Sequence, residues 1–285
     1  MDTFFHDLRF ALRTLRRNRG FTLAAVLTLA LGIGANAAIF SVVNGVLLLP
    51  LPYQEPERLI TIWGHYESIG RAPASLPDFR DWRAGTRSVA MMGAHYGTSM
   101  SLTGVGEPEQ IDVDRVTANF FPLLGVRPAM GRGFVAEEEQ VGGNDDVVVL
   151  SHGFWQRQFG GKPDIVNSTI QLSGVAHTVI GVMPEKFRFW RDVDVWAPTQ
   201  TDQAAASNRR SEYLTASARM KPGVTVQEAD AEIATIAARL SEQYPNTNAN
   251  FQSEVVSLHD ETVAAVRPAL LVFSGAVALV LLIAC

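Results

Sequence analysis

The chain has 285 residues, 47% hydrophobic and 19% charged, with a formal net charge of −5. No charged side chain occurs in 21–52 or in 268–285, so 53–267 keeps 19 basic and 27 acidic residues, a balance of about −8. An uncharged run of this length matches a bilayer and excludes a freely soluble globular protein, and the acidic block excludes a basic nucleic-acid binder, so no nucleic acid is expected as a partner.

Residues 1–20 carry five arginines against two acids. At helical spacing Phe4, Phe5, Leu8, Ala11, Leu12 and Leu15 share one side, while Arg9, Arg13, Arg16 and Arg17 fall toward the other. This predicts a cytoplasmic amphipathic basic helix, suited to an anionic membrane-lipid surface and also readable as a pure topology signal. The apolar run 21–49 would reach about 43 Å as a helix, against the ~30 Å of a hydrocarbon core. We therefore expect a transmembrane helix with an outer extension over 21–51. Ala30, Gly34 and Ala38 form small-xxx-small pairs and are the expected helix-packing residues.

With the N-terminus inside, 52–267 lies outside the cytoplasm. Strands are expected at 58–66, 88–102 and 110–117, with a helix after the capping residue Ser75 and a turn at 104–108. A second set follows: a strand at 213–220, the turn Lys221-Pro222-Gly223, a helix opened by the capping box Thr225/Glu228, and a strand at 251–258. Two strand–helix–strand halves suit an α+β domain of split ferredoxin-like type. Between them, 118–212 reads as an inserted small α/β subdomain. Its strands fall at 147–150, 169–172, 177–182 and 193–196, with a helix capped by Ser151 and stopped by Gly160-Gly161. Phe154, Trp155 and Phe159 on that helix are expected in the core. The apolar run 268–285 reads as the start of a second transmembrane helix, cut short, so the sequence is expected to be a fragment.

Catalytic motifs are weak. No GxxxxGK[ST] loop or GxSxG elbow occurs, and the GxGxxA matches at Gly32 and Gly131 lack a strand-to-helix turn. The six histidines are scattered, and Glu137–Glu139 reads as a solvated run. The lone Cys285 leaves 53–267 without an intrachain disulfide. No catalytic residue, cofactor or metal is expected, and the chain is not expected to be an enzyme.

The order of parts resembles the MacB/FtsX-type ABC permeases with a MacB-like periplasmic core domain. The resemblance rests on Asp7-Leu8-Arg9-Phe10-Ala11-Leu12-Arg13, Leu29-Ala30-Leu31-Gly32-Ile33-Gly34-Ala35-Asn36, Asn119-Phe120-Phe121 and Leu124-Gly125-Val126. It continues through Leu150-Ser151-His152-Gly153-Phe154-Trp155, Val179-Ile180-Gly181-Val182-Met183-Pro184, Lys221-Pro222-Gly223-Val224-Thr225 and Leu281-Leu282-Ile283-Ala284-Cys285. It implies a porter-like unit (52–117 and 213–267) with the insert 118–212, in the inner membrane with 52–267 periplasmic. It also implies four spans per unit, a cytoplasmic ABC ATPase on a separate chain, a dimer of permease units and a periplasmic adaptor. Arg9, Arg13, Arg16 and Arg17 would then form the ATPase-coupling surface. The expected function is a permease subunit of an export or mechanotransmission system. The alternative is a membrane-tethered ligand-binding or sensor module.

Overall fold

The computed structural model describes residues 6, 10, 13, 15–67, 70–139, 146–199 and 207–284. They form two units, Met1–Leu49 with Val263–Cys285, and Pro50–Thr262.

In the first unit the apolar helix Arg19–Val43 is long and apolar enough to cross a membrane. It runs on through a π-helical turn, Asn44–Leu48, until Leu49 turns extended ahead of Pro50. Asn18 leaves the helical region (φ −107°, ψ 64°), so the described helical residues before it are set off from the span. The helix packs beside a second apolar helix, Arg267–Ala284. Its covered positions include Gly32, Asn36, Ile39 and Val43, which recur at three- and four-residue spacing. Ala30, Gly34 and Ala38 lie instead on the exposed side, and the space where a Cβ on Gly34 would sit is empty. Ala30, Gly34 and Ala38 are therefore not covered by the second helix. Glycine at position 32 and the polar Asn36, costly against lipid, take the covered face.

In the second unit the main path of the sheet runs β12–β1–β11–β4–β5–β10–β7–β9–β6. These strands are β1 (Leu59–Tyr66), β4 (Val89–Thr103), β5 (Glu109–Val116), β6 (Met130–Gly131), β7 (Val147–Leu150), β9 (Val175–Val182), β10 (Val195–Pro198), β11 (Glu212–Met220) and β12 (Gln252–Ser257). The short strands β2 (Gly70–Ala72), β3 (Ala74–Ser75) and β8 (Thr169–Leu172) pair at its margins. The first four strands of the path are antiparallel neighbours, with Ile60 opposite Ser257 and Ala218, and Ala216 opposite Ala94. Helices α1 (Leu76–Gly85) and α4 (Val226–Gln243) cover one face, on which Ile60, Ile62, Ala216 and Ala218 meet Phe79, Trp82, Ile233 and Leu240. Trp82 stacks on Phe251 with centroids 6.0 Å apart.

Local chemistry explains both helices. Ser75 accepts from the Asp78 amide at 3.2 Å, and Thr225 and Glu228 close a reciprocal capping box. Val226, Ala229, Ile233, Ile236 and Leu240 repeat at helical spacing, and all but Val226 are fully buried.

The insert does not build a sheet of its own. The β4–β5 hairpin carries β5 outward, where β10 pairs with it in parallel (Trp196 opposite Asp114) and continues the same sheet through β7, β9 and β6. Two separate open sheets would have two more unpaired edges than this continuous one. Helix α3 (His152–Phe159) is capped by Ser151, which accepts from the Phe154 amide at 3.1 Å, and ends at Gly160 in the left-handed region. Phe154 is fully buried, with Trp155 and Phe159 packed around the same core.

The opposite face of the sheet is covered by a third cluster that includes helix α2 (Phe120–Leu124), Phe134, Phe187, Phe189 and Trp196, together with Leu59 and Leu258. Leu258, expected at the end of the strand 251–258, instead opens the short helix α5 (Leu258–Val263). β1 is covered on both faces, so its burial runs nearly unbroken instead of alternating.

The acidic run 137–139 is not a solvated face. Glu138 is buried, accepts from the Arg132 guanidinium at 2.6 Å and from the Val135 amide at 2.9 Å, and Glu139 accepts from the Ala118 amide.

Candidate functional site

The chain enters the second unit as a strap, residues 50–58, and the strap is the best-built candidate site. Two prolines, Pro50 and Pro52, end helical structure, and Leu51 and Tyr53 seat it on the aromatic cluster. Tyr53 Oη donates to the Arg188 carbonyl at 2.6 Å, and burial raises its pKa. The Gln54 amide donates to the Leu124 carbonyl at 3.3 Å. Gly125 makes that approach possible. It ends α2 in the left-handed region (φ 72°), and a Cβ there would stand 2.4 Å from Gln54 Cβ.

Two arginines lock the strap to the end of β11. Arg219, 9% exposed, donates from Nε to the Leu123 carbonyl at 2.9 Å and from its terminal nitrogens to the Gln54 and Glu55 carbonyls at 2.7 and 3.3 Å. Burial, with the charge of Arg58 nearby, lowers its pKa. Arg58 in turn donates twice to the Met220 carbonyl, at 2.9 and 2.7 Å, and pairs with Glu55 at 2.6 Å. Glu55 sits at φ 42°, an uncommon conformation for a side-chain-bearing residue that the two guanidinium groups hold in place. A planar fork with five donors suits three carbonyls from two segments, two in the strap and one in α2, a spread that a lysine's single nitrogen does not match.

A second cluster stands beside the strap. His95 lies among Phe120, Phe189 and Trp190, with ring centroids 5.4, 5.1 and 5.8 Å away, and its Nδ1 is 3.3 Å from an oxygen of buried Asp114. Arg191 crosses β5 and donates to the Val113 carbonyl at 3.0 Å and to Asp114 and Asp112 at 3.3 and 3.2 Å. Gly97 leaves room for it, because a Cβ there would stand 2.4 Å from the guanidinium. Burial pushes the Asp114 pKa up, but His95 and Arg191 outweigh it and hold the carboxyl below its usual range. Arg191 is itself exposed, the ring nitrogens of His95 have no hydrogen-bond partner among the described residues, and the cluster shows no nucleophile–base pair. Among the described residues no group of three or more metal-ligating side chains converges.

Of the residues expected from sequence, Arg13, Arg16 and Arg17 are exposed, and Arg9 lies outside the described residues. Ala30, Gly34 and Ala38 line one exposed stripe. Sequence reasoning missed Arg58, Arg219, His95, Asp114 and Arg191. Their partners lie 77 to 165 residues away for the arginines at 191 and 219, a distance over which no spacing rule operates.

The sequence model of the MacB-like periplasmic core domain matches residues 22–236, most of the chain. The chain belongs to this family. No curated protein matches the sequence. Among solved structures, the fold is similar to a domain described as that of a permease protein from Porphyromonas gingivalis, at TM-score 0.55 and 13% identity over 72% of this chain and 92% of that one. It is similar to the extracellular domain of the noncanonic ABC-type transporter YknZ from Gram-positive bacteria, at TM-score 0.52 and 15% identity over 69% and 99%. It is also similar to the periplasmic region of MacB from Actinobacillus actinomycetemcomitans, at TM-score 0.54 and 12% identity over 81% and 98%. At these identities the likeness is one of fold. Family membership and the apolar helix Arg19–Val43 are consistent with a membrane location and an extracytoplasmic segment.

Proposed function

We propose that this MacB-like family member is a permease subunit of an ABC-type export or mechanotransmission system in the inner membrane. A cytoplasmic ATPase on another chain does the nucleotide chemistry, and this chain, with no catalytic role, passes the resulting motion to its extracytoplasmic domain. The observation that carries the reading is the arginine-locked strap. It begins directly after the apolar run and is tied by hydrogen bonds to β11 and α2, so a displacement of its start reaches the sheet without slack. A disordered linker would absorb the same displacement as entropy.

The strand order β12–β1–β11–β4, with α1 and α4 on one face, supports reading the outer domain as a split ferredoxin-like porter unit interrupted by the insert. Arg9, Arg13, Arg16 and Arg17 form the proposed coupling surface, and Ala30, Gly34 and Ala38 a packing face toward other helices of a dimeric permease. A periplasmic adaptor would meet the outer domain.

The test is recovery of the tagged protein from native membranes with and without cross-linking. An ABC ATPase is expected to co-purify, and replacing the four arginines with glutamine is expected to abolish it. Recovery of no ATPase from the wild-type protein refutes the permease reading and leaves the membrane-tethered sensor.

A further inference from the structure

A cavity of about 270 Å³ opens beside α1 in the second unit, away from the strap. Its apolar wall is built from Leu76, Phe79, Ala136 and Leu214, with Tyr213 and Thr117 beside them. Arg80 and Arg83 stand at its margin, three residues apart on one helix and therefore on one face. Both are exposed, and no described residue forms an ion pair or hydrogen bond with either side chain.

The third feature is Thr199. It is 4% exposed and lines the cavity, and its hydroxyl finds no hydrogen-bond partner among the described residues. A buried hydroxyl without a partner costs free energy, and an acceptor on a molecule in the cavity would offset that cost. Its backbone is not at fault, because the Thr199 amide donates to the Val116 carbonyl at 2.9 Å. Glu139 also lines the cavity, with its carboxylate engaged by the Ala118 amide.

We propose that this cavity is a binding site for a small amphiphilic carboxylate. The apolar body lies against Phe79 and Leu214, the carboxylate is held at Arg80 and Arg83, and the Thr199 hydroxyl donates to the ligand. The volume sits just below the range of ~300–1,000 Å³ typical of drug-sized ligands, which limits the occupant to roughly ten to fifteen heavy atoms. Paired guanidinium groups select a carboxylate over a neutral or cationic analogue, because each hydrogen bond to a charged group is stronger than its neutral counterpart.

The probe is 4-phenylbutanoate, compared with its neutral amide. Both are titrated into the full chain in phosphatidylcholine nanodiscs, with empty nanodiscs as the reference, and binding is read by ligand-observed saturation-transfer NMR. The carboxylate is expected to saturate a site and the amide to bind roughly tenfold more weakly. The exposed double variant Arg80→Gln/Arg83→Gln is expected to remove that preference without changing the melting temperature, while Arg87→Gln keeps it. Thr199→Val is expected to weaken both probes alike. Failure of the carboxylate to saturate, equal binding of acid and amide, or unchanged selectivity in the double variant would overturn the proposal. None of these results depends on an ATPase partner.

Discussion

Replacing Arg219 with methionine tests the strap directly. Methionine keeps most of the stem's packing and removes the fork. The structure gives Arg219 two well-formed bonds, to Leu123 and Gln54 at 2.9 and 2.7 Å, and a longer one to Glu55 at 3.3 Å. Hydrogen bonds to a charged group contribute ~1.5–3 kcal/mol each, so two of them set an upper range of about 3–6 kcal/mol. Water can reach part of the strap and re-solvate the freed carbonyls, and the variant no longer buries a charge. Both effects reduce the cost, to about 2–3 kcal/mol.

Because the bonds hold the strap and not the core strands, that cost should appear as local opening. The Gln54 and Arg58 amides, which donate to Leu124 and Glu55, report it. At 1.4 kcal/mol per factor of ten, their hydrogen exchange should speed up by about 30-fold to 140-fold in R219M. Amides in the centre of β11 should be unchanged. Exchange at 54 and 58 at the wild-type rate would refute the idea that Arg219 holds the strap. R219K, which keeps the charge but replaces the fork with a point donor, should behave almost like R219M.

Other outcomes follow from the same geometry. Gly125→Ala forces a side chain into the left-handed region and into Gln54, which costs about 1–2 kcal/mol for the conformation alone and should loosen the same amides. Asp114 has a folded pKa below its unfolded value, so its contribution is present above pH ~4 and is lost as pH falls through the folded pKa; D114N should flatten the acid limb of melting temperature against pH. For Glu232, burial raises the pKa, but hydrogen bonds from Ser88, Thr86 and the Arg87 and Ser88 amides bring it to about 2 from an ordinary 4.5. Its stabilisation should therefore fade between those two values on acidification, and E232Q should remove that dependence, as followed by thermal melts. Thr225→Ala opens the capping box and should cost about 1 kcal/mol, read as a lowered melting temperature.

Much of the fold was readable from neighbours a few residues apart. Ser75, Ser151 and Thr225 cap the helices they were expected to cap, and Gly160 stops the helix it was expected to stop. The strands 147–150 and 169–172 stand where alternation and β-branched residues put them. Such signals work because capping, turn formation and amphipathic burial are decided within one or two turns of chain. A short piece without a side-chain N-cap, α2, is held by packing of Phe120 on Phe189 and of Phe121 on Trp196 more than by its own propensity.

The arrangement of the parts is another matter. Whether the insert extends the sheet or closes a second one depends on β5 meeting β10, more than 80 residues later in the chain. The same holds for the strap lock, where Arg219 reaches carbonyls at 54 and 123, and for Asp114, which meets His95 and Arg191 from opposite directions along the chain. An arginine or aspartate in sequence carries a charge but no address. Its partner is chosen by which strands lie side by side, and that choice is made by the burial of whole faces, a property of the assembled sheet and of no local segment.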